Sequence, residues 1–360
     1  MEIMHGNPDR TKNQVVTVAT ADGKFRYRVE MDYAKGLPDL YRYTPYMGNV
    51  SGGCVDAEDN LYCGLRGSAS ITQWPIPATI LKFDPEGNFL EAIGAGKIPL
   101  MHFMDFRAKD RLILAATGAN YYVEIDTTTG ETVRTYGTPN PHPENGVNKD
   151  TYLETRLHRG IYPTEPNHGY GGGVYEWKVQ RDNMQLSEGF HNPCDVAFDS
   201  QGNIYFADGY SNCAVHKYSP DGQHIKTWGG YGVFDGETDT PGRFLVVHAI
   251  CIDKHDHVWI CDRDKDAIHV FDTEGNLLHY ISHDLGQPSG IGTDGEYVYA
   301  VGRGGYLTIF DFDFHIVGEL GFFNGNLRAH DLCADSRGNL YLFPTHANND
   351  HQFIALKRIR

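Results

Sequence analysis

Six segments of this chain repeat one pattern, an aspartate-led turn followed by an aromatic strand. They are "CVDAEDNLYCGLR" (54–66), "DFRAKDRLILAAT" (105–117), "AFDSQGNIYFADGY" (197–210), "CIDKHDHVWICDR" (251–263), "IGTDGEYVYAVGR" (291–303) and "CADSRGNLYLFPT" (333–345). Such repetition constrains the fold strongly, because each unit has an apolar face that only its neighbours can cover. Four units carry a second turn, "FDPEGNFL", "IDTTTGETV", "YSPDGQHI" and "FDTEGNLL", with residues suited to a hairpin at positive φ. Each unit then reads as strand, turn, strand, loop, strand, turn, strand, and six such blades make an all-β, six-bladed β-propeller. The last unit ends at Arg360 after three strands. "FRYRVEMDY" (25–33) is expected to supply the missing outer strand and close the ring. Residues 1–360 then form one propeller domain, with an insertion at 138–188 that is too long for a simple blade connection and is positioned to lid the channel.

A second regularity lies inside the first. "LMHFMDF" (100–106), "LVVHAICID" (245–253) and "LRAHDLCAD" (327–335) each place a histidine at the same point of the first strand. First strands line the central channel, so one register recurs around the axis, and here it carries Ser51, His102, Cys194, His248, Ser289 and His330. The histidines fall in units two, four and six, about 120° apart in a six-bladed ring. Three imidazoles at one height form a facial ligand set with an open position, suited to zinc or another first-row divalent metal.

Strand direction selects what surrounds that centre. The first strand leaves the histidine face and the second returns to it, so residues just past the second strand ring the mouth. They are Arg66, Thr117, Gly209, Arg263, Arg303 and Thr345, with Tyr210 and His346 one position later. The planar donor forks of the arginines suit a carboxylate or oxyanion, which makes Arg303 and His346 candidates for binding a carboxylate-bearing small molecule.

Composition excludes several classes. A net charge of −16 with no local basic patch argues against a nucleic-acid partner. No apolar run approaches the ~18 residues of a membrane span, and the polar opening "MEIMHGNPDR" leaves a cytoplasmic protein as the expectation. The seven cysteines include no CxxC pair and read as reduced core residues. "HGYGGGVY" lacks the Lys-Ser/Thr of a phosphate loop.

The segments 189–229, "PGRFLVVHAICID", "VWICDRDKDAIHVF" and "RAHDLCADSRGNLYLF" together resemble the NHL-repeat catalytic domain of peptidylglycine α-amidating lyases. The resemblance implies zinc held by His102, His248 and His330. It implies a catalytic tyrosine at Tyr210 of "DGY", active-site arginines at Arg66 and Arg263, and a structural calcium at Asp331. Ser211 and His191, and Trp259 and Val270, stand where secreted members have disulfide cysteines, so a related cytoplasmic reaction on a small molecule is expected. The implied chemistry is cleavage of a carbinolamide to an amide and an aldehyde, with Tyr210 taking the hydroxyl proton and Arg263 holding substrate. Metal-dependent hydrolysis or hydration at the same site, and a non-catalytic propeller that binds a protein partner, are the competing expectations.

Overall fold

The computed structural model describes residues 16–31, 33–38, 41, 50–65, 78–99, 101–139, 185–232, 240–282, 284–321, 329–344 and 354–360. Arg66, Thr345, His346 and positions 140–184 of the insertion lie outside them. The described residues form five four-stranded antiparallel sheets and one five-stranded sheet, each strand pairing with the next in sequence in the first five. The innermost strands are Val50–Val55, Met104–Ala108, Asp195–Phe198, Val247–Ile252, Pro288–Thr293 and Asp331–Ala334, defining blades one to six. Each packs against its counterpart in the next blade, and that of blade six packs against that of blade one, so the ring is closed. Among the described residues no helix is long and apolar enough to cross a membrane.

The repeated aspartates explain why the blades form. In blade three the Asp199 carboxylate accepts the backbone N–H groups of Gln201 and Asn203 and the Tyr205 hydroxyl. Asp56, Asp253, Asp294 and Asp335 hold their turns in the same way, with Tyr62, Trp259, Tyr299 and Tyr341 donating from the second strand. One carboxylate thus satisfies a turn's donors and ties it to the aromatic core. Blade two has Arg107 at this position, and its guanidinium pairs with Glu124 instead.

Closure follows the sequence reading and adds one strand. Arg26–Glu30 pairs antiparallel with Ile354–Ile359, completing blade six, and Val16–Ala19 pairs outside it as a fifth strand. Blade six is therefore stitched from both ends of the described chain. All seven cysteines are buried and unbridged.

Candidate metal centre

Local backbone devices aim the three histidines. In blade four the ladder shifts register between Val247 and Ala249, so His248 stands at a bulge that turns its side chain to the axis. His102 and His330 precede their strands and donate their backbone N–H groups to Ala115 and Phe343 of the second strand, at 2.8 Å each. The rings meet edge to face, with centroids 5.0 Å apart for His102 and His248 and 4.8 Å for each pairing with His330. One ligand atom from each lies within 4.8 Å of the others. All three side chains are buried.

The groups behind the rings decide which nitrogen faces the axis. His102 Nδ1 lies 2.9 Å from the Cys194 carbonyl, His248 Nδ1 2.6 Å from that of Ser289, and His330 Nδ1 2.9 Å from that of Ser51. A carbonyl only accepts, so each Nδ1 carries a proton, and in the neutral ring each Nε2 presents a lone pair. Burial, reinforced by the Arg263 guanidinium and the other two imidazoles, pushes His248 well below its ordinary value and keeps it neutral. Three neutral nitrogen donors, close together and preset in orientation, fit zinc or another first-row divalent ion. Phe103 closes the floor, its ring centroid 4.1, 5.3 and 4.9 Å from those of His102, His248 and His330.

Tyr210 and Arg263 lie directly against this centre. The Tyr210 hydroxyl is 3.0 Å from His102 Nε2 and 2.8 Å from His248 Nε2, and Arg263 donates to its oxygen at 3.3 Å. The guanidinium also lies over the Tyr210 ring, 5.4 Å from its centroid. Asp262 fixes the approach by accepting the N–H groups of Leu245 and Val246, while Arg263 N–H donates to the Val246 carbonyl. Arg303 sits past the second strand of blade five, partly exposed, its N–H on the Gln287 carbonyl. Gly209 was placed at the mouth by register alone, and the structure explains it: a Cβ there would overlap the Val247 carbonyl beside His248. Gly209→Ala is expected to displace both Tyr210 and His248, lowering metal content with the propeller retained, as read by metal analysis alongside circular dichroism.

Below the histidines lie carboxyls of which sequence reading had singled out only Asp331. Asp331 accepts the Gly53 N–H at 3.1 Å, and Asp195 accepts the Ile250 N–H at 2.9 Å, each reaching into the next blade. Burial pushes both well above the ordinary carboxylate range, and Asp105 is pushed up to about 7 by the same cause. A folded value above the unfolded ~3.9 gives stability that is complete in acid and lost as pH rises through about 7. Asp105→Asn removes that loss, so the variant is expected to melt higher than the parent at pH 8 and similarly at pH 4, with EDTA in both. Among the described residues the three histidines are the one group of three close metal-ligating side chains, so calcium at Asp331 stays an implication of the resemblance.

No protein-family model matches the chain. Over 193 residues it is 29% identical to peptidyl-glycine alpha-amidating monooxygenase A of Xenopus laevis, a match covering 47% of this chain and 20% of that protein. NHL repeat-containing protein 3 of Homo sapiens is 32% identical over 88 residues, covering 24% of this chain and 23% of that one. The chain therefore spans only about a fifth to a quarter of the length of these relatives. Virginiamycin B lyase from Staphylococcus aureus superposes with a TM-score of 0.54 at 11% identity, over 93% of this chain and 100% of that one. A gluconolactonase from Xanthomonas campestris does so with a TM-score of 0.58 at 13% identity, over 96% and 95%. At such identities the likeness is one of fold. Homology to the amidating monooxygenase and to the NHL-repeat protein, with six blades, bears out the resemblance drawn from the motifs.

Proposed function

We propose that this propeller is a metal-dependent enzyme, a carbon–nitrogen lyase that splits the carbinolamide of a small carboxylate-bearing molecule. The observation that carries this reading is the convergence of three Nε2 lone pairs with the Tyr210 hydroxyl and the Arg263 guanidinium in one buried cluster. In the reaction R–CO–NH–CH(OH)–COO⁻ becomes R–CO–NH₂ and OHC–COO⁻. The hydroxyl loses its proton, the O–H electron pair forms the aldehyde C=O, the C–N bond breaks, and the departing nitrogen gains a proton. No oxidant or water is consumed.

A zinc or similar ion on His102, His248 and His330 would supply Lewis-acid chemistry there. Tyr210 is the proton carrier, since its oxygen is the acidic group held at the histidines' axial face. Arg263, beside that oxygen, offsets negative charge that develops there. Arg303 and His346 are assigned to the substrate carboxylate and Arg66 to the catalytic set with Tyr210 and Arg263, Arg66 and His346 lying outside the described residues. Homology to the amidating monooxygenase supports the lyase reading within the stretch it covers.

The sequence alone gave Arg263 an orienting role, for which Arg263→Ala would raise KM. Its hydrogen bond to Tyr210 predicts a further effect: kcat falls as well, and Arg263→Lys restores only part because the planar fork is lost. Steady-state kinetics on α-hydroxyhippurate or ureidoglycolate test both statements. Turnover of neither by zinc-loaded protein would sink the carbinolamide reading, and hydrolysis or hydration on the same residues would take its place.

A further inference from the structure

We infer that Ser51, Cys194 and Ser289, the register residues of the blades without a histidine, are positioning residues that set how tightly the three histidines hold a metal, and that Cys194 is the weak position. This inference rests on the metal reading above. Each of these residues is buried and stands between two histidine blades. Ser289 works at both ends: its carbonyl receives His248 Nδ1 at 2.6 Å, and its hydroxyl donates at 2.8 Å to the carbonyl of Ala329, the residue before His330. Ser51 does the same two blades on, receiving His330 Nδ1 at 2.9 Å and donating at 3.2 Å to the carbonyl of Met101, the residue before His102. Each serine thereby holds the ring of one histidine and the backbone of the next.

Blade three breaks the pattern. The Cys194 carbonyl receives His102 Nδ1 at 2.9 Å, but its thiol donates at 3.7 Å to Asn192 in its own blade. The corresponding target would be the carbonyl of Val247, the residue before His248. Sulfur is a weak donor, so even a reoriented thiol would hold that carbonyl poorly. Around the axis a register side chain holds the residue before the next histidine except between blades three and four, where the Ile250 N–H, two residues past His248, donates to Asp195 at 2.9 Å instead. A ligand whose backbone is held loses less freedom when it binds an ion, which is why groups behind metal ligands alter affinity.

The test is a competition titration of the full chain with Zn²⁺ against a chromogenic chelator, beside thermal unfolding of the metal-free proteins. Ser289→Ala and Ser51→Ala are expected to weaken Zn²⁺ binding about tenfold each, in the range for groups behind ligands, with melting little changed. Cys194→Ser, a smaller residue with a stronger donor, is expected to tighten it, and this gain does not depend on variants that fold poorly. If the parent binds zinc and His248→Ala does not, yet both alanine variants and Cys194→Ser match the parent, the positioning inference alone is overturned. If the parent binds no zinc, or His248→Ala binds as much, the metal reading fails and this inference with it.

Discussion

His248→Ala and His330→Ala are each expected to abolish tight binding of a divalent metal while the propeller persists. The parent protein should carry about one zinc, or another first-row ion, per chain, and each variant should carry essentially none after dialysis. Three nitrogen donors are the minimum that closes around a tetrahedral ion with one open position, so loss of one leaves a weak, exchanging pair. The fold should survive because blade contacts are made by apolar residues along whole strands, whereas the histidines occupy one level of the axis. Removing His248 also relieves the burial of an imidazole that the structure keeps neutral. Affinity should fall in acid, but below the free imidazole value of ~6.5, because His248 is held well under it. Atomic absorption of the purified variants, and a titration of affinity against pH, check these outcomes. Full metal content in both variants, or affinity that stays flat down to the pH at which the propeller unfolds, would remove the histidine centre.

Tyr210→Phe is expected to lower kcat by about 10²–10⁴-fold with metal retained, the range for loss of a positioned acid or base. The substitution deletes one oxygen and keeps the ring, so the stacking of Arg263 over it survives. It removes the contacts at 3.0 and 2.8 Å to His102 and His248, which face Nε2 rather than the Nδ1 anchors, so the imidazoles keep their orientation. The effect should therefore appear in kcat, with metal content equal to the parent. A loss smaller than about tenfold would leave the proton transfer to another group. An equal loss of metal would instead make Tyr210 a structural partner of the histidines.

The repeat and the histidine spacing were legible because a propeller converts sequence period into angle. Once six units are counted, one register in alternate units must converge on the axis, and His102, His248 and His330 do. The return direction of the second strand likewise brought Tyr210 and Arg263 to the same face without any coordinates. Legible too was the closing outer strand, since three strands at the end of the chain leave an edge that 26–30 can pair. The outermost strand Val16–Ala19 was not, because the four-strand repeat is already complete without it, although Val18 is buried in the same core cluster as the blade-six strands.

What the tertiary structure alone decided is everything that passes between blades. The anchors of the three Nδ1 atoms come from residues 92, 41 and 279 positions away, and they are backbone carbonyls, which every residue type carries. No side-chain pattern can announce them. The overlap that demands Gly209, the placing of Phe103 beneath the histidines and the neighbouring carboxyls Asp105 and Asp195 have the same origin. By itself the sequence determined which side chains reach the axis, because strand register is a local property repeated six times. Packing of adjacent blades decided how those side chains are oriented, protonated and held, because hydrogen bonds and burial depend on distances across the ring that local pattern does not encode.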